Sequence, residues 1–322
     1  MTKFRSLALI LALPLGAFAA DSGLLQAVMP DAQVLAGLQV DSAKSSTFGQ
    51  YVLSHLSVND TKLQEFTAAT GFDPRYDVSE LVIASNWKPN TPDNRWIVAG
   101  HGAFNVSKIT SVALANGGTL APYQGLNLVV HAAASKSQVD TAIAFLDSST
   151  ALVGDLTSVK AAIDRKKSNT PADVSIITKA QTASSGKDFW FVTLVPLSNF
   201  AGSIPSGGAG GAMQGNLLAA INQASGGIRF GDTVTISAEA ITRSEKDAQA
   251  LVDVLKFFAG LVQLNRQQNP AAGQVATLLD TLQTTVSGNI TNISLAIPEQ
   301  QLEQLLNTVH SAPAKAADVR VN

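Results

Sequence analysis

The chain has 322 residues, with 22 Lys and Arg against 24 Asp and Glu, four His and no cysteine. A net charge of −2 gives no electrostatic reason to bind nucleic acid or anionic lipid, and without cysteine there is no disulfide framework. With 46% hydrophobic and 14% charged residues the chain falls in the globular class and not the disordered one.

Lys3 and Arg5 precede an apolar run from Leu7 to Leu15, and Ala17-Phe18-Ala19-Ala20 offers small residues at the spacing signal peptidase accepts. Residues 1–20 therefore read as a cleavable export signal, and cleavage after Ala19 or Ala20 fits equally well. The run is too short to span a hydrocarbon core, which takes roughly 20 apolar residues, and no later segment approaches that length. No transmembrane segment is expected in the mature chain. The absence of cysteine rules out lipid attachment at the cleavage site. Losing two basic and no acidic residues leaves 20 against 24, a net −4. The expected location is periplasmic or secreted.

Val34 to Val40 reads as a buried strand, followed by a helix capped by Asp41 with Phe48, Tyr51, Val52 and Leu56 at helical spacing. A second helix from Asp60 carries Leu63 and Phe66 and stops at Gly71. Asp73-Pro74 turns the chain into a hairpin of strands at 81–86 and 95–104. Asn105 caps a helix ended by Gly117-Gly118. Strands at 126–132, 141–146 and 150–154 follow, and a helix from Leu156 to Lys167 closes an N-terminal unit, residues 21–170.

The second unit, residues 171–310, reads in a similar order. It has a strand at 188–195, a helix at 217–224, and a long strand or hairpin at 228–241. Ser244-Glu245-Lys246-Asp247 opens a helix with Ala248, Leu251, Leu255, Phe258 and Val262 on one face. A helix at 275–282, a hairpin turning at Ser287-Gly288-Asn289, and a last helix with Pro298 in its first turn complete the unit; residues 311–322 are a mobile tail. The fold expected is α+β, two similar subdomains of antiparallel sheet with helices packed on one face; the shared order suggests an internal duplication, although such an alternation also arises without repetition.

No segment carries a recognisable catalytic motif. The glycine-rich stretch 205–216 precedes a helix but lacks the Gly-Lys-Ser/Thr ending of a phosphate loop, and reads as a loop. His55, His101, His131 and His310 are too scattered in sequence to form a metal pair. His101 and His131 lie near strand ends that could be neighbours, and read as packed histidines. Ser184 and Lys187 have the Ser-x-x-Lys spacing of some acyl enzymes, but the strand that follows carries the lysine away from the serine. Asp73, Asp77 and Glu80 surround a turn without the pattern of a calcium loop. Trp87, Trp96, Trp190, Phe189 and Phe191 read as cross-strand packing in preference to a stacking platform. No catalytic, cofactor or metal residue is assigned.

The segments TGFDPRYDVSELVIAS, RWIVAGHGAF and ALVGDLTSVKAAIDRKK resemble a family of uncharacterised bacterial exported proteins, over about residues 25–170. The resemblance implies an envelope-associated protein and brings no catalytic residues with it. The functional expectation is a non-enzymatic protein that binds a partner or ligand at the cell envelope. The alternatives are a carrier of an apolar, lipid-like ligand and a hydrolase using His101 or His131. A carrier requires an apolar cavity, an interaction protein an exposed apolar patch, and a hydrolase a carboxylate or hydroxyl beside one histidine.

Overall fold

The computed structural model describes residues 19–55, 61–88, 91, 93–135, 138–169, 174–203, 217–266 and 270–304. The strands are β1 Val34–Gln39, β2 Val78–Ser85, β3 Trp96–Gly102, β4 Thr119–Tyr123, β5 Leu126–His131, β6 Thr141–Phe145, β7 Thr150–Asp155, β8 Phe189–Thr193, β9 Ile221–Arg229, β10 Thr233–Thr242, β11 Gln283–Ser287 and β12 Ile290–Pro298. They form one 12-stranded sheet in the spatial order 11, 12, 10, 9, 8, 1, 2, 3, 7, 6, 5, 4. Every pairing is antiparallel, so the α+β architecture follows from hairpins, as the sequence suggested.

The two halves meet at the β1–β8 pair, where the ladder continues without a break from Val34↔Thr193 to Leu38↔Phe189. Outward from this seam, three consecutive strands come first on each side: β1, β2, β3 on one and β8, β9, β10 on the other. A returning pair in reversed order follows on each side, β7 then β6 and β12 then β11. The N-terminal half adds β5 and the edge strand β4 beyond β6. This shared connectivity is a likeness of topology and does not establish a duplication.

The helices are α1 Ser22–Leu25, α2 Val40–Ser45, α3 Thr47–His55, α4 Thr61–Thr70, α5 Pro74–Asp77, α6 Val106–Ala115, α7 Leu156–Ser168, α8 Val174–Ser184, α9 Glu245–Asn265 and α10 Pro270–Leu279. Where one covered face was expected, the N-terminal half is covered on both, because its strands are apolar on both. One face presents Leu35, Val82, Ala99 and Leu152 to α1, α7 and α8. The other presents Leu38 and Leu81 to α2 and α3, and further along it meets α4 and α6. In the C-terminal half, Ala224 and Ala240 pack under Leu251 and Leu255 of α9, whereas the opposite face carries Ser225, Ser237, Glu239 and Asn292 and meets solvent beside α8. Such one-sided polarity is normal for antiparallel sheets.

Trp190 locks the seam. It is fully buried on β8 and pairs with Gly37 of β1, where a Cβ would lie 2.4 Å from the indole. The ring therefore occupies the space a side chain at position 37 would need.

Several local expectations shift. The single helix after β1 is broken at Ser46 into α2 and α3, and the cap at its start is Gln39, without a side-chain bond, in place of Asp41. The helix expected at 217–224 is one helical turn at 217–220 followed by β9. The helix expected at 275–282 is α10, which starts earlier. Pro298 ends β12 and does not begin a helix; helical residues follow at 299–304. Residues 1–18, where most of the expected export signal falls, the glycine-rich stretch 205–216 and the tail 311–322 lie outside the described residues.

Candidate functional site

Two places bring chemistry together. The first is a polar network under α1, built from five distant stretches of sequence. Asp21 caps α1: its Oδ1 accepts the Leu24 N–H at 2.9 Å, the ordinary use of an aspartate at a helix start. The same oxygen lies 3.3 Å from His101 Nε2 on β3. His101 Nδ1 is 3.3 Å from both the Ser149 carbonyl oxygen and Thr150 Oγ1 on β7. Glu80, the cross-strand neighbour of His101 on β2, accepts the Asp21 N–H at 2.8 Å. One residue earlier, the Ala20 N–H donates to Ser184 Oγ at 2.9 Å, at the end of α8.

The two carboxylates differ in setting. Burial works to raise the Asp21 carboxyl, but the Leu24 hydrogen bond and the neighbouring His101 outweigh it and hold the group below the usual aspartate value. Burial dominates at Glu80 and pushes its carboxyl above the usual glutamate value; the Asp21 N–H bond opposes this only in part, and the Asp21 charge adds to the rise. Glu80 is thus a buried carboxylate whose local environment does not fully support its charge.

A hydroxyl and a carboxylate therefore stand beside His101, as a hydrolase would require. The arrangement is poor for that chemistry. Thr150 is only 6% exposed, and both imidazole nitrogens face acceptors, the Ser149 carbonyl and the Asp21 carboxylate. Both ring nitrogens are thus already engaged, and the imidazole bridges β3, β7 and α1. His131 lies in a separate cleft with Trp96, Gln138 and Thr141, and no carboxylate lines that cleft. The structure does not bring His101 and His131 together. The side chain of His55 and the whole of His310 lie outside what is described.

The remaining candidates separate as well. Asp73 is clamped by Arg75 at 2.6 Å, the interaction that lowers its carboxyl most, and Asp77 accepts the Asp73 N–H at 2.7 Å, while Glu80 points to Asp21. No group of three or more metal-ligating side chains exists among the described residues. Ser184 is fully buried and its hydroxyl donates to the Gln181 carbonyl at 3.1 Å, so no substrate reaches it. Trp87 stacks on Phe200 with centroids 4.2 Å apart, apart from Trp190 in the core; the tryptophans pack and form no platform.

The second place is an apolar cavity of about 230 Å³ between the N-terminal half of the sheet and the pair α4 and α6. Its floor is Leu81, Val98, Ile143 and Val153, and its walls include Phe66 from α4, Ile109 from α6 and Phe104 just before α6. No charged residue lines it. Glycine at position 100 keeps the floor open, since a Cβ there would press on Leu81 at 2.8 Å. The sequence reading located these residues as strand and helix faces without seeing that the two helices stand off the sheet. A patch of a different kind lies on α9, where Phe257, Leu261 and Leu264 share a stripe and are 54%, 38% and 78% exposed. No helix among the described residues is long and apolar enough to cross a membrane.

No family model matches the chain, and no curated protein matches it. Among solved structures it is similar to TP0453 in two crystal forms. For form I the TM-score is 0.48 at 10% identity, covering 91% of this chain and 99% of that one. For form III the TM-score is 0.49 at 10% identity, covering 88% and 97%. Likeness at this level carries no argument about what the chain does.

Proposed function

We propose that the chain is an exported, non-catalytic protein of the cell envelope that binds an apolar group in the cavity beneath α4 and α6. The observation that carries this reading is the wholly uncharged lining of that cavity. Its size limits the ligand. A dry cavity of about 150 Å³ takes up benzene, so about 230 Å³ suits a branched hydrocarbon or the end of one acyl chain. It lies below the roughly 300–1,000 Å³ of pockets that enclose whole small molecules, so the cavity, which opens to the surface, takes part of a lipid and leaves the remainder outside. Export rests on the leader-like residues 1–20.

Native mass spectrometry of the protein taken gently from its host tests this directly. The expected result is an added mass that denaturation releases as a lipid-like molecule. A clean protein mass, together with no saturable uptake of the apolar dye N-phenyl-1-naphthylamine, overturns the reading. A second reading, a protein partner docked at the envelope, is favoured by the exposed stripe on α9. It predicts that Leu264→Glu abolishes a co-purifying protein and leaves dye uptake unchanged.

A further inference from the structure

The leader reading allows cleavage on either side of Ala20, and the structure distinguishes the two. Ala19 is exposed, whereas Ala20 is 6% exposed and packs in the core under α1. Its N–H donates to Ser184 Oγ, and Ser184 is itself fully buried. Cleavage after Ala20 would empty this place in the core and remove the donor to the buried Ser184 hydroxyl. Cleavage after Ala19 leaves Ala20 in its place with its bond to Ser184. It also places Ala17 and Ala19 at the two positions where the peptidase requires small residues, where the alternative would place Phe18 at the outer one.

Cleavage does more than shorten the chain: it converts the Ala20 amide into an α-ammonium, a new positive charge. Glu80, 9% exposed, accepts the next N–H along, that of Asp21, at 2.8 Å. Successive backbone nitrogens are at most about 3.7 Å apart, so the Glu80 oxygen lies within about 6.5 Å of the Ala20 nitrogen. This is the range in which opposite charges in a low-dielectric setting support each other. In the chain before cleavage, the groups facing Glu80 are Asp21, Gln39 and His101, of which Asp21 repels it. We infer that the place between Ser184, Glu80 and α1, which Ala20 fills, is a seat for the processed N-terminus, in which the Ala20 α-ammonium produced by cleavage after Ala19 supplies the counter-charge of Glu80. The buried carboxylate that His101 alone does not support is thereby explained as one half of an ion pair that exists only in the mature protein. Export processing and stability of the fold are coupled at this point.

The inference rests on the export reading, and its test separates the two. The first measurement is the intact mass and N-terminal sequence of the protein recovered from its host. A start at Ala20 is expected. A start at Asp21 or beyond overturns the seat, and an intact leader overturns both readings. The second measurement is independent of export. The mature chain starting at Ala20 is prepared with a free or an acetylated N-terminus, each with Glu80 and with Glu80→Gln. Acetylation keeps the N–H that binds Ser184 and removes only the charge. At pH 7 it is expected to lower Tm by about 2–4 °C with Glu80 present and by less than 1 °C in the Glu80→Gln pair. An equal effect of acetylation in both backgrounds, or none in either, overturns the ion pair. Ser184→Ala, which leaves Glu80 intact, is expected to lower Tm in both the free and the acetylated forms; no loss in either overturns the seat's second contact.

Discussion

Filling the apolar cavity tests its existence through the sign of a stability change. Ala151 on β7 lines the cavity and pairs across the sheet with Gly100 on one side and Phe145 on the other, so a larger side chain there has room above Gly100. Ala151→Ile adds three carbons. Buried into empty space, they contribute about 2.4 kcal/mol at roughly 0.8 kcal/mol each, less about 0.5–1 kcal/mol of lost rotamer freedom. The expected gain is therefore about 1.5 kcal/mol, and isoleucine suits a strand. In an interior packed to ordinary density the same substitution costs about 1–3 kcal/mol. Urea unfolding of the two proteins, compared by midpoint at constant slope, reads the difference. The added atoms also occupy the ligand's place, so N-phenyl-1-naphthylamine uptake is expected to fall at least about 10-fold, the equivalent of about 1.4 kcal/mol. A variant destabilised by more than about 1 kcal/mol with unchanged dye uptake would falsify the cavity and with it the binding reading.

Three further outcomes follow from the packing and the charges. Gly37→Ala brings a Cβ to 2.4 Å from the Trp190 ring at the seam between the halves, and is expected to destabilise the protein by about 3 kcal/mol in urea titration, at the upper end of overpacking costs; a loss under about 1 kcal/mol would show that the indole can move aside. Asp155 caps α7 through Ser158 N at 2.8 Å and also accepts the Trp96 N–H at 2.8 Å, so Asp155→Ala removes a cap of about 1 kcal/mol and orphans an amide at about 1–3 kcal/mol. A Tm loss confined to about 2 °C or less would contradict that double role. Asp21 and Asp73 are both held below the ordinary carboxylate value in the fold. Their contribution to stability is complete above about pH 4, the unfolded value, and is lost as pH falls through their lower folded values. Asp21→Asn and Asp73→Asn are each expected to flatten the acid limb of the Tm profile, and an unchanged limb in both refutes the assignment.

Six of the seven strands of the N-terminal half, all but β4, were legible because alternation and turn residues agreed with one another. Asp73-Pro74, the cap Asn105 and the pair Gly117-Gly118 each mark a boundary that the structure places where the residues predict. Legibility failed where tertiary pairing overrides local preference. β9, read in part as helix, holds Gly226 and Gly227 between two neighbouring strands, a place set by the sheet and not by propensity. β4 carries Pro122, which only an edge position tolerates. α8, built on Val174, Ile176, Ile177 and Thr178, is rich in β-branched residues and forms because Ile176 and Ala180 are buried against β8. The cavity was legible only as two apolar faces, since the distance between a helix and a sheet leaves no mark in the residue order.

The network under α1 shows why a site of this kind escapes a motif search. Its members come from positions 20–21, 80, 101, 149–150 and 184, and each has an ordinary local explanation: a helix cap, a strand polar residue, a turn, a helix end. Only their convergence is unusual, and that convergence is produced by antiparallel register, which sets Glu80 opposite His101 and His101 opposite Thr150. The register is fixed by burial of Val82, Ala99 and Leu152 on the same face; a slip of one residue would turn all three outward. The polar constellation is therefore as rigid as the core beside it. A place set by the core's register, with Glu80 and Ser184 buried, is suited to holding the backbone at Ala20 and Asp21, and poorly suited to a reaction that must admit, turn over and release a substrate.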